Sequence, residues 1–262
     1  MVLTIDIGNT KTKVAVFKGE QQVEHIVIEQ INKKCIGELI DKFGKFDSSI
    51  ISSVNTKEEQ RVANLFCELG LKCHLLSYKS PLPFKIDYLT PETLGKDRIA
   101  ALAGAYAVEG EGNYLVIDCG TCNTYDLLVD GHFVGGNIAP GIQMRLDAMH
   151  HFTAALPQCT INSMHNAQCT TSDFERERKM HNGLGITTKS AILNGAYWGV
   201  INEINGYIER YSTEYKNLKV ILTGGLFNLQ IINISQLSTL NSKLLFEPML
   251  VPKGLNYIAK NL

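Results

Sequence analysis

The stretch "YLVIDCGTCNTYDLLVDGHFVGG" (residues 114–136) decides how this chain is read. An apolar run ends in Asp118. Gly120 and Thr121 follow, a second apolar run covers 125–129, and an Asp130-Gly131 turn leads onward. Taken alone this is an ordinary hairpin, since glycine and small polar residues are what tight turns use. The same order stands near the start, in "LTIDIGNTKTKVAVFKG" (residues 3–19). There an apolar strand ends in Asp6. Gly8, Asn9 and Thr10 come next, then Lys11, Thr12 and Lys13, a second strand, and a Gly19-Glu20 turn. The two aspartates lie 112 residues apart. A repeat at that separation reads as an internal duplication of two α/β halves. The glutamate- and glycine-rich "VEGEGN" (108–113) marks the join, so the expected division is 1–112 and 113–262.

The repeat changes what the turns can mean. Glycine lets a backbone approach a phosphate closely and expose its N–H donors. Asn9, Thr10 and Thr121 add short polar side chains, and Lys13 adds positive charge. Asp6 and Asp118 carry the same charge sign as phosphate, so a hard cation has to stand between. Neither G-x-x-x-x-G-K-[ST] nor G-x-G-x-x-G is present, which disfavours Walker-type and Rossmann sites. Gly224-Gly225, after the apolar run 219–223, is a third turn suited to lie against an adenosine.

Around these turns the pattern predicts strands at 22–29, 48–54 and 73–77 and helices over 32–44, 57–70, 96–108, 142–154 and 186–211. Prolines 81, 83 and 91 mark a loop, and residues 159–185 are polar without period and read as a mobile surface segment. "GKDR" (95–98) opens the alanine-rich helix. It is either a polar helix start, with Asp97 favourable in the first turn, or a functional motif.

The bulk numbers exclude several classes. With 262 residues, 45% hydrophobic and net charge −1, the chain is globular and has no basic surface for nucleic acid. It contains no run of about 18 apolar residues, so no membrane span is expected. Asp6 and Lys11 interrupt the first apolar stretch, so it does not read as a signal peptide, and the expected location is cytoplasmic. Seven cysteines, an odd number, suggest reduced thiols. Cys119 and Cys122 form a C-x-x-C that no second pair completes as a zinc site, and they read as small core residues. His150 and His151 are adjacent and point apart on a helix, so they read as ordinary polar positions. "DFERERK" (173–179) reads as a solvated mixed-charge stretch, and Trp198 as core or subunit interface.

Asp-x-Gly-x-Thr, a second Asp-x-Gly-Thr and a late Gly-Gly on a duplicated frame resemble the sugar kinase, heat-shock ATPase and actin superfamily. More closely, "DIGNTKTK", "TPETLGKDRIAALAGA", "DCGTCNTYD", "GGNIAPGIQMR" and "TAALP", in this order over residues 3–157, resemble the type III pantothenate kinases. The resemblance implies duplicated ribonuclease H-like halves, each a mixed sheet flanked by helices, with the nucleotide in the cleft between them. It also implies ATP-dependent phosphorylation of pantothenate to 4′-phosphopantothenate, the first step toward coenzyme A.

The same resemblance implies residue roles. Asp6, Ile7, Gly8, Asn9, Thr10, Lys11, Thr12 and Lys13 would form the first phosphate loop, with Asp6 near Mg²⁺. Gly95, Lys96, Asp97 and Arg98 would be the substrate motif, with Asp97 as general base. Tyr88 and Thr188 would touch the substrate. Asp118 would bind a monovalent cation (K⁺ or NH₄⁺), and Thr121 would be the second ATP contact. Arg98 offers a planar fork suited to the pantothenate carboxylate. A homodimer is also implied. Thr187 stands where the family usually has asparagine, and Cys122 where it usually has alanine. Three rivals stand beside this reading: a kinase of another small hydroxylated acid or sugar, a non-catalytic regulator on the same frame, and a filament-forming actin-like protein, which the short chain disfavours.

Overall fold

The computed structural model describes residues 1–8, 10–161, 184–228, 232, 234–237 and 243–262. The first sheet contains β1 (Val2–Ile7), β2 (Thr12–Lys18), β3 (Gln21–Ile28), β4 (Ser48–Ser53) and β5 (His74–Leu75), ordered β3-β2-β1-β4-β5. β1 runs antiparallel to β2 and parallel to β4. Such a central strand is covered on both faces, which explains its unbroken burial and its nearly continuous apolar sequence. Helices α1 (Lys33–Phe43) and α2 (Thr56–Glu68) start at Asn32 and Asn55, whose side chains accept from the first free backbone N–H groups. Their apolar faces (Ile36 and Leu39; Val62 and Phe66) join Leu3, Ile5, Val14, Val16 and Ile51 in one core.

The second sheet contains β6 (Lys85–Ile86), β7 (Tyr114–Cys119), β8 (Cys122–Val129), β9 (His132–Pro140), β10 (Lys219–Thr223) and β11 (Lys243–Phe246). Its order is β11-β10-β7-β8-β9-β6. Without β6, the order β9-β8-β7-β10-β11 repeats that of the first sheet. This is the expected duplicated α/β frame of mixed sheets flanked by helices. The remaining described helices are α3 (Lys96–Glu109), α4 (Ile142–His151), α5 (Thr188–Glu214), α6 (Gly225–Asn228) and α7 (Leu250–Lys260).

Compactness groups the chain into two units. One comprises Met1–Val116, Asp126–Gly135 and Met249–Leu262; the other comprises Ile117–Tyr125 and Gly136–Pro248. In the first unit α7 packs along α3 with an unusually close backbone approach. A Cβ on Gly104 would stand 2.1 Å from the Leu250 carbonyl oxygen, and one on Gly254 would stand 1.9 Å from that of Ala100. Glycine at both positions is therefore a condition of this contact. Asn256 also donates to the Gly19 carbonyl (2.9 Å), tying α7 to the β2–β3 turn. In the second unit Glu203 of α5 accepts from Tyr125 of β8 and from Arg145 of α4 (2.6 Å each), which ties three elements together.

Most of 159–185, including the stretch 173–179, lies outside the described residues. Trp198 is half-buried and meets Tyr197 edge-on. His150 and His151 are exposed. His150 Nδ1 lies 2.8 Å from the Leu156 carbonyl, and the His151 ring packs on Phe152.

Candidate functional site

In the first unit, β1 and β2 bring the first phosphate-loop candidates together. Asp6 is opposite Lys13 in the antiparallel pair and Ser52 in the parallel one, and it is 8% exposed. Ile7 and Thr12 are buried, Lys13 is half-buried, and Gly8, Thr10 and Lys11 are exposed. The Gly8 N–H donates to the Lys11 carbonyl (3.1 Å), closing the connection from 8 to 11. A Cβ on Gly8 would meet that same oxygen at 3.2 Å. Asn9 lies outside the described residues. Lys13 and burial act together on His25: desolvation first and the lysine charge second push its pKa down.

The "GKDR" stretch is the first turn of α3. Gly95 is the N-cap, and no side chain caps it. Asp97 is half-buried, and its Oδ1 accepts from the backbone N–H of Arg98 (2.9 Å). A carboxylate here gains from the unpaired N–H groups of the helix start. A Cβ on Gly95 would come within 2.5 Å of Asp97 Oδ1, so glycine makes room for that carboxylate. The two neighbouring cations are both paired. Lys96 Nζ donates to both oxygens of Glu59 on α2 (2.6 Å each). Arg98 donates from Nε (2.8 Å) and Nη2 (2.5 Å) to Oδ1 of Asp126 on β8, in a pair that is 4% and 0% exposed. The guanidinium carbon lies 5.6 Å from the ring centre of half-buried Tyr88 and 5.5 Å from that of Phe133. The two rings are parallel, with centres 5.8 Å apart. Burial pulls the Arg98 pKa down, but its bonds to Asp126 and its contact with Tyr88 outweigh this and hold it above the usual value.

In the second unit, Gly120 and Thr121 connect β7 to β8, with the Gly120 N–H donating to the Cys122 carbonyl (3.1 Å). Thr121 is exposed and Asp118 half-buried. Gly224 has φ +105, and a Cβ on it would stand 2.3 Å from the Cys119 carbonyl and 2.5 Å from Asp118 Oδ1. The late Gly-Gly turn thus packs on the second Asp-x-Gly turn, and Gly225 opens α6. Cys119 and Cys122 are free thiols; burial first, then Asp118 and Glu203, push the Cys119 pKa well up. Thr188 is the exposed first residue of α5. Thr187, in the position where asparagine is expected, is its N-cap: its hydroxyl accepts from the Ser190 N–H (3.1 Å), and Ser190 Oγ accepts from the Thr187 N–H (3.0 Å). Threonine and asparagine are both effective caps, which accounts for the departure.

The described residues contain no group of three or more His, Cys, Asp and Glu side chains able to hold a metal, and no helix long and apolar enough to cross a membrane. Asp6 and Asp118 are single carboxylates at strand ends. A lone carboxylate such as Asp6 fits Mg²⁺, which keeps several waters and takes as few as one carboxylate together with substrate phosphates.

Sequence reasoning passed over Asp126, Glu59 and Phe133. Asp126 had a readable signal, a lone carboxylate inside the apolar run "YDLLV". Glu59 had none, since a glutamate in the first turn of a helix is commonplace.

A family model described as type III pantothenate kinase matches residues 2–210. The type III pantothenate kinase of Flavobacterium johnsoniae is 35% identical over 227 residues, covering 86% of this chain and 86% of the relative. That of Christiangramia forsetii is 35% identical over 264 residues, covering 98% and 97%. Among solved structures, the activator of 2-hydroxyisocaproyl-CoA dehydratase from Clostridium difficile, with bound ADPNP, superposes with a TM-score of 0.55 at 12% identity. The match covers 99% of this chain and 94% of that one, a likeness of fold.

Proposed function

The chain belongs to the type III pantothenate kinase family, and from that membership we propose how its own residues carry out the reaction. It is a phosphotransferase that phosphorylates pantothenate in coenzyme A biosynthesis. Relatives with that activity match it over most of its length, which disfavours a kinase of another acid or sugar and a non-catalytic regulator.

We assign the base to Asp97. Its Oδ2 takes the proton of the primary hydroxyl of pantothenate. The hydroxyl oxygen bonds to the γ-phosphorus of ATP as the bond to the β–γ bridging oxygen breaks, leaving ADP and 4′-phosphopantothenate. Phosphoryl transfer has a loose transition state, so positioning and charge neutralisation do most of the work. The observation that carries this reading is the seat of Asp97. One oxygen is fixed by the Arg98 N–H, while Lys96 and Arg98 are each paired to another carboxylate. Neither cation is bonded to the base, and its second oxygen is left for the substrate.

In this proposal Tyr88, Gly95, Lys96 and Thr188 contact the substrate, while Arg98, 4% exposed and held by Asp126, acts by positioning its neighbours and not by offering its fork to the substrate carboxylate. Asp6, Ile7, Gly8, Asn9, Thr10, Lys11, Thr12, Lys13 and Thr121 hold the nucleotide. Asp6 would hold Mg²⁺ and Asp118 a K⁺ or NH₄⁺ ion; bound there, such cations neutralise phosphate charge. Cytoplasmic location, a homodimer and the division at 112/113 belong to the same proposal and rest on the resemblance and the repeat.

A coupled assay with pantothenate and ATP, run in K⁺ and in Na⁺-only buffer, tests this. Turnover should appear in K⁺ and fall in Na⁺. Asp97→Asn should lower kcat by about 10²–10⁴-fold, the usual worth of a general base, with an unchanged circular dichroism spectrum. Near-normal turnover in that variant would remove Asp97 as base.

A further inference from the structure

We propose that Asp126 is a positioning residue for this reaction: by gripping the Arg98 guanidinium it fixes the first turn of α3, where Asp97 stands, and the Tyr88–Phe133 ring pair beside it. The inference rests on the kinase reading above and adds to it a residue that closes the stretch "DCGTCNTYD" but to which the resemblance assigns no role.

The argument begins with burial. Asp126 is 0% exposed, in the middle of β8, and a carboxylate so placed requires a partner. That partner is Arg98, 4% exposed, which reaches it with two nitrogens at 2.8 and 2.5 Å. A planar guanidinium held through two of its nitrogens has a fixed orientation as well as a fixed position. Buried ion pairs are a poor source of stability, since apolar side chains of similar volume often do as well or better. What this pair supplies is geometry. It ties the third helical residue of α3 to a strand of the sheet, and the backbone N–H of that same residue holds Asp97 Oδ1 at 2.9 Å. A shift of Arg98 therefore carries the base with it. The guanidinium also lies against Tyr88, itself stacked parallel to Phe133 of β9, so the substrate-contacting tyrosine shares the anchor. On the other side of Asp97, Lys96 is gripped by Glu59. The turn is thus pinned from two elements, and the Lys96 and Arg98 side chains are both matched by carboxylates other than Asp97.

Asp126→Asn keeps the shape and removes the charge. Steady-state kinetics in both substrates should show kcat/KM for pantothenate lower by about 10²-fold, the scale of a small misplacement of reacting groups, with the KM for ATP unchanged. Arg98→Met should lose a similar factor, and Asp126→Asn/Arg98→Met should be no worse than Arg98→Met alone, because one residue acts through the other. If Asp126→Asn does not fold, Asp126→Leu/Arg98→Met removes both charges and decides the matter: the same loss for pantothenate supports the role, and wild-type kinetics overturn it. A folded Asp126→Asn protein with wild-type kcat and KM, multiplicative losses in the double variant, or equal rises in both KM values would each overturn it. Wild-type protein that fails to phosphorylate pantothenate would overturn the kinase reading, and this role with it.

Discussion

The two Asp-x-Gly turns occupy equivalent places in two sheets of the same strand order, yet they are built differently. The first connects β1 to β2 through residues 8–11, with Lys11 in the turn and Lys13 just inside β2. The second connects β7 to β8 through Gly120 and Thr121 alone and carries no lysine. The first has exposed Gly8, Thr10 and Lys11, a surface suited to phosphate oxygens. The second is covered by Gly224, whose backbone lies directly on Cys119 and Asp118. Duplication supplied one turn twice; the copies then diverged in charge and length.

Substitutions can break this contrast, and the largest effect should come from the second turn. Gly224→Ala forces a Cβ to 2.3 Å from the Cys119 carbonyl at φ +105. Strain and overpacking together should cost about 2–5 kcal/mol, read as a lower melting temperature and a loss of turnover. A variant as stable as wild type would mean that the glycine contact is not what shapes this turn.

Next, Lys13→Met beside the first turn should raise the KM for ATP and lower kcat, together about 10²-fold, if the lysine makes the proposed charge-assisted phosphate contact. Thr121→Val in the second should cost about tenfold or less, the worth of one neutral hydrogen bond. Equal losses would show that the two turns share one job.

The smallest effect distinguishes the sheets by pH. Burial pushes the pKa of His25 and His74, both on the first sheet, below the ordinary value. Each therefore binds a proton more weakly folded than unfolded. Stability is full above about 6.5 and declines as pH falls through that value, because the unfolded chain takes up protons first. Denaturant melts at pH 7.5 and 5.5 should show the decline, and His25→Gln/His74→Gln should flatten it.

How much of this was readable in the sequence differed by region. β1, β2 and the α1 and α2 helices follow directly from apolar spacing, and the repeat itself exposed the duplication. β6 and β11 were not expected: at two and four residues they are too short to show a period. The helix α7 was also missed, because "LVPKGLNYIAK" holds a proline and a glycine that read as breakers. Pro252 falls in the first turn, where its missing N–H is harmless. Gly254 is required by the approach to Ala100, a contact that local sequence cannot display. The candidate site divided in the same way. Its motif residues were legible from pattern and resemblance, whereas the grips of Asp126 and Glu59 join residues 28 and 37 positions apart from their partners.

The glycine contact between α3 and α7 also orders events in time. Roughly 150 residues separate the two helices, so at ordinary synthesis rates α3 emerges about 8–30 s before its packing partner. During that interval the bare face at Ala100 and Gly104 is exposed water-side backbone on the helix that bears Asp97. The helix can form early, but its final seat waits for α7, so the half of the fold that begins first is among the last to be finished.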